Sequence, residues 1–148
     1  MLQTAFFALG LANSVALIII FVVRGRRLDL VQRFGWLYLL LAIPALYALL
    51  LVQQGHEAVQ YTVFLAIFLA FLAIEALYDW VLKIPFREKM DWRQLLPYVA
   101  LYISSNYGFI VMTWRFDSMT RGILLLVLFV IQIVANILTH PRPTAPRR

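Results

Sequence analysis

The sequence predicts an all-α integral membrane protein: a compact bundle of five transmembrane helices, N-terminus outside and C-terminus cytoplasmic. Three observations carry that prediction. Of 148 residues, 64% are hydrophobic and only 14% charged, with a mean hydropathy of +0.85, whereas soluble domains are about 45–50% apolar and 25% charged. The apolar residues gather into runs long enough to cross about 30 Å of hydrocarbon at about 1.5 Å per helical residue. The basic residues then alternate between connections. Arg24, Arg26, Arg27 and Arg33 follow the first run, Lys83, Arg87, Lys89 and Arg93 follow the third, and Arg142, Arg147 and Arg148 lie in the tail. Only Arg115 and Arg121 occupy the other connections, and the positive-inside rule sets the orientation from that contrast.

The spans read as 2–23, 34–52, 58–84, 95–114 and 122–139. Residues 1–140 then form a single transmembrane domain and 141–148 a basic, Pro-rich cytoplasmic tail, which leaves no chain for a soluble domain. The net charge of +6 is spread over loops beside apolar runs, so it serves topology, and no nucleic-acid partner is expected. The absence of cysteine removes disulfides, thiolate nucleophiles and iron–sulfur ligation. No glycine-rich phosphate loop, nucleophile elbow or metal-ligand spacing occurs. With His56 and His140 both near span ends, axial ligation of a haem by this chain is not expected. The expected inventory is therefore no metal and no cofactor, in a multi-pass protein of a cell membrane such as a prokaryotic inner or cytoplasmic membrane.

The first span lacks a basic leader and a small-residue cleavage pattern and reads as a retained helix. Ala5, Ala8, Ala12 and Ala16 share one face, a stripe that lets another backbone approach closely. Asn13 borders it and is expected to form an interhelical hydrogen bond. In the second span Pro44 removes a backbone donor and predicts a kink. Trp36 and Tyr38 fit an aromatic belt at the inner boundary, and Gly55 suits a tight outer turn that leaves His56 in solvent.

The third span carries the sharpest signal. Thr62, Ala66, Ala70 and Ala73 line one side, while Phe64, Phe68, Leu72, Glu75 and Asp79 lie on the other. A helix with a close-packing stripe opposite two carboxylates is expected to be central in the bundle. Asp79 has Lys83 one turn on, in the favourable acid-to-base order, for an interfacial ion pair. Glu75 lies about 12 Å inward from Lys83 and either carries a proton or is held by polar groups of other helices.

Segment 83–92 alternates charge with large apolar groups, so Lys83, Arg87 and Trp92 are candidate interfacial lipid contacts. Asp91 and Gln94 resemble a capping box that starts the fourth helix near Trp92. That helix is the most polar, with Tyr98, Tyr102, Ser104, Ser105, Asn106 and Tyr107, and the fifth adds Gln132 and Asn136 one turn apart. Counted from the cytoplasmic ends, Gln132 and Ser104 reach the depth of Glu75, and Asn136 that of Asp79. Asn13, Glu75, Asp79, Tyr102, Ser104, Ser105, Asn106, Gln132 and Asn136 thus form the candidate intramembrane polar site. Ala8, Ala12, Ala66, Ala70 and Ala73 form the candidate packing faces.

Three classes of function are compatible with this pattern. Missing catalytic motifs favour a non-catalytic membrane subunit or assembly partner, as a homo-oligomer or in a larger complex. Transport or ion permeation with Glu75 as the proton or cation site is the alternative. A third class is an enzyme acting on a lipid or other small-molecule ligand in the bilayer, with Glu75 or Asp79 as acid or base and Tyr102, Ser105 or Asn136 orienting the substrate.

Overall fold

The computed structural model describes residues 1–82 and 92–139, and every regular element among them is helical. In chain order these are α1 (Leu2–Arg26), α2 (Leu28–Phe34), a 3-10 stretch (Gly35–Leu41), α3 (Ala42–Gly55), α4 (Val59–Ala76), a π-helical turn (Leu77–Val81), α5 (Trp92–Phe116) and α6 (Met119–Thr139). They form five stretches long and apolar enough to cross a membrane: Leu2–Arg26, Asp29–Gly55, Val59–Val81, Trp92–Phe116 and Met119–Thr139. Residues 83–91 and 140–148 lie outside the described residues, and with them Lys83, Arg87, Asp91, His140 and the tail.

Two departures from regular α-helix matter for the site. In the second span a 3-10 stretch of 7 residues, Gly35–Leu41, precedes the α-helical segment that contains Pro44. Proline has no N–H to offer the carbonyl one turn earlier, Leu40, so the preceding segment tightens. A 3-10 turn holds about 3.0 residues instead of 3.6, and seven residues at that pitch rotate the later side chains well away from α-helical positions. In the third span the helix is not continuous. Beyond Ala76 it widens, and the Leu82 N–H bonds the Leu77 carbonyl five residues back at 2.8 Å. Asp79 sits inside this wide turn.

The turns are tight. Between α3 and α4 the chain reverses at His56, whose φ of 51° is left-handed; Gly55, expected to make this turn, is the last helical residue. Between α5 and α6 the N–H groups of Asp117 and Ser118 both bond the Thr113 carbonyl, at 3.0 and 2.9 Å. One nitrogen of Arg121 donates to both Asp117 oxygens at 3.1 and 2.9 Å, and its guanidinium lies 5.1 Å from the Phe7 ring centroid, tying this turn to α1. Gly122 is required here: a Cβ on it would lie 2.8 Å from the Trp114 Cα, and backbone cannot yield as a side chain can.

The third span is not the central one: α1 packs on α3, α5 and α6, and α5 on α1, α4 and α6, whereas α4 packs chiefly on α3 and α5. Polarity explains the exchange, because α5 carries Tyr102, Ser105 and Asn106, all buried, and groups that need partners are driven inward. Gly108 lets α4 come close, since a Cβ there would run into the Phe64 ring. Phe6, Phe68, Phe71, Tyr61 and Phe109 fill the core in edge-on or tilted contacts, such as Phe6 on Tyr61 at 4.9 Å and Phe68 on Phe109 at 5.0 Å. Within the alanine stripes, Ala8, Ala12, Ala66, Ala70 and Ala73 are all exposed, whereas Ala5 is half-buried and Ala16 packs on the core.

Candidate functional site

Midway along the bundle, four spans each contribute side chains to one hydrogen-bond network. Asn13 of α1 donates through Nδ2 to Asn106 Oδ1 of α5 at 3.3 Å, and its own Oδ1 accepts from the Tyr38 hydroxyl at 2.6 Å. Gln132 of α6 donates through Nε2 to the same Asn106 oxygen at 3.5 Å and accepts from the Tyr102 hydroxyl at 3.0 Å. Asn106 Nδ2 closes the circuit on the Tyr102 carbonyl at 2.8 Å. Asn13 and Gln132 are wholly buried, and Asn106 is 2% exposed. The network has one direction: both phenols and both terminal amides donate towards Asn106, which passes its hydrogen to a backbone carbonyl. Three of its links are carboxamides, which accept and donate hydrogen bonds but do not titrate, and two are phenols.

A second group surrounds Phe71 of α4, which contacts Tyr38 at 6.3 Å, Tyr98 at 5.5 Å and Tyr102 at 6.0 Å between ring centroids. One helical turn beyond Phe71, half-buried Glu75 lies within electrostatic reach of Tyr38. Glu75 stands one residue inside the end of the regular α-helix. Neither Glu75 nor Asp79 stands alone, since each has an interacting partner.

The structure brings Asn13, Tyr102, Asn106 and Gln132 together. Ser105 is buried but bonds only its own helix, donating to the Tyr102 carbonyl at 3.0 Å. Ser104 is half-buried. Asn136 belongs elsewhere: its Oδ1 accepts from Arg24 at 2.6 Å, one or two turns nearer the arginine-rich end. Arg24 also covers the Phe21 ring at 5.2 Å. Trp92 is exposed at the start of α5, while the other expected lipid contacts, Lys83 and Arg87, fall outside the described residues. No group of three or more His, Asp or Glu close enough to hold a metal occurs among the described residues.

Two participants escape sequence reasoning. Tyr38, expected in an aromatic belt at the inner boundary, is 5% exposed and donates into the network; the proline six residues on is the available signal that the helix before it is irregular. Arg24, expected only to anchor topology, reaches inward to Asn136. Comparison of the chain with protein-family models, curated proteins and solved structures finds no match.

Proposed function

We propose that this chain is a small multi-pass membrane protein that acts without catalysis, as a subunit or assembly partner. The observation that carries the reading is that the buried amides of Asn13, Asn106 and Gln132 are consumed by one another and by Tyr38 and Tyr102. Such a circuit orients helices. Its three carboxamides do not titrate, and each spends hydrogen bonds on its neighbours in the circuit.

What the interior does not use, the outer faces offer. On α4 the exposed residues Val59, Val63, Ala66, Ala70, Ala73 and Leu77 recur at spacings of four and three, the seam of a left-handed helix pair. Its middle is alanine throughout, which permits close approach of a partner backbone. The basic segment 24–33 is cytoplasmic in this reading, and the opposite end is nearly neutral, with Glu57 and Asp117 offsetting Arg115 and Arg121.

Because the chain has no cysteine, single cysteines report cleanly. Ala70→Cys in native membranes is expected to crosslink into a larger species, and Val127→Cys on the outward side of α6 is not. Only monomer from Ala70→Cys, Val63→Cys and Ala73→Cys alike would overturn the assembly reading.

Transport through Glu75 is the second reading, supported by its half-buried place one turn beyond Phe71 and just before the π-helical turn, a feature frequent at functional sites. In proteoliposomes, pH-driven ion flux by wild type that Glu75→Gln abolishes at normal folded yield would favour it. An enzyme has no comparable support: Tyr102, Ser105 and Asn136, the groups that would orient a substrate, each hydrogen-bond within the protein.

A further inference from the structure

Between the C-terminal ends of α1 and α6 lies a groove of about 590 Å3, within the roughly 300–1,000 Å3 of ligand-sized clefts. Its walls are apolar along the helices, from Val22 on one side and Ile131, Val134 and Leu138 on the other. At the helix ends it becomes polar, where Arg26 and Thr139 line it. The two helices touch at its floor: a Cβ on Gly25 would lie 2.7 Å from the Thr139 Cβ. The walls themselves are open, Val134 being 48% and Leu138 78% exposed.

The arginines at this end divide their work. Arg24 turns inward to Asn136 and over Phe21. Arg26, two residues on and so on another face of the helix, is exposed and lines the groove. A slot that is apolar along the bundle axis and cationic at its mouth matches a molecule with an acyl chain and a negative headgroup. Guanidinium is well suited to the latter, because it forms charge-assisted hydrogen bonds to phosphate oxygens.

We propose that this groove seats one anionic phospholipid, its acyl chain along Val22, Ile131, Val134 and Leu138 and its phosphate at Arg26. Basic pockets between transmembrane helices at the cytoplasmic side bind anionic headgroups by this combination of contacts. The inference requires that the chain span a bilayer and is independent of the assembly reading.

The test is lipid retention by the full chain in native mass spectrometry, after release from nanodiscs of equal phosphatidylglycerol and phosphatidylcholine. Wild type is expected to retain one phosphatidylglycerol about five-fold in preference to phosphatidylcholine, the weight of one arginine at an anionic surface. Arg26→Gln removes the charge from an exposed position and should reduce that preference to parity. Val134→Trp fills the slot and should lower retention of both lipids. Arg115→Gln, which removes a cation from the opposite end, should leave the preference intact. Equal retention of the two lipids by wild type would overturn the proposal. So would an unchanged preference in Arg26→Gln, unchanged retention in Val134→Trp, or an equal loss in Arg115→Gln.

Discussion

Midway along the bundle, Asn13, Asn106 and Gln132 are buried and bonded to one another, whereas towards the end that carries the His56 and Asp117 turns, Tyr61 and Thr113 are each 1% exposed and their hydroxyls have no hydrogen-bond partner among the described residues. Burial is the same in the two regions and satisfaction is not. The difference follows from geometry. A carboxamide carries two donors and two acceptor sites and can bridge two neighbouring helices, so Asn106 on α5 links α1 to α6. A hydroxyl sits at the end of one side chain, and the Tyr61 ring is held by Phe6 at 4.9 Å and Phe116 at 5.7 Å between ring centroids. Aromatic packing sets where that oxygen points. The midpoint is therefore built for specificity and the turn end for packing, and substitutions should separate the two.

The largest effect is expected at Asn106. Asn106→Ala removes the amide and leaves donors of Asn13 and Gln132 unpaired, and with several bonds lost the cost is about 3 kcal/mol, read as a lowered unfolding midpoint in detergent. A variant as stable as wild type would remove the distinction between the two regions.

Gly122→Ala tests the turn end through packing instead of hydrogen bonding. Its Cβ would meet Trp114 backbone, and overpacking of this kind costs about 1–3 kcal/mol. The same assay should show it, with no change expected if α5 and α6 separate freely there.

Smaller and opposite in sign are the hydroxyl deletions. Tyr61→Phe and Thr113→Val each remove a buried group without a partner, so each should leave stability unchanged or raise it by up to about 1 kcal/mol. A clear loss from either would show a bond that the packing does not reveal. At the neighbouring turn, His56→Gly relieves a left-handed backbone that costs an L-residue about 1 kcal/mol, partly offset by the greater freedom of glycine in the unfolded chain, and a gain of a few tenths of a kcal/mol is expected.

How much of this is legible in sequence depends on what each feature needs. Span number and polar composition need only counting along the chain, so the five apolar stretches appear within a few residues of their helices, and Asn13, Tyr102, Asn106 and Gln132 stand out as polar residues in apolar runs. Rotation needs more. Tyr38 lies in the 3-10 segment before Pro44 and is buried, and Asp79 lies in the π-helical end of the third span. Neither segment keeps the 3.6 residues per turn from which a helix face is drawn. The stripe Ala66, Ala70 and Ala73 shows that small residues permit close packing without choosing the partner: in this chain they face outward. That reversal sharpens the assembly reading. Ala70→Leu should weaken crosslinking between chains and leave the unfolding midpoint unchanged, while Leu69→Ala, which packs on the core, should do the reverse.

The most direct test of the contrast is a pair of double-mutant cycles on unfolding free energy. At the midpoint, Tyr38→Phe and Asn13→Ala remove the two ends of the 2.6 Å hydrogen bond; at the turn end, Tyr61→Phe and Thr113→Val remove the two unbonded hydroxyls. Interhelical hydrogen bonds couple by about 0.6 kcal/mol on average and up to about 1.7, so the first cycle should show a coupling of about 1 kcal/mol and the second none. Additivity at Tyr38 and Asn13, or coupling confined to Tyr61 and Thr113, would contradict the claim that the buried amides and their phenol partners hold this bundle together.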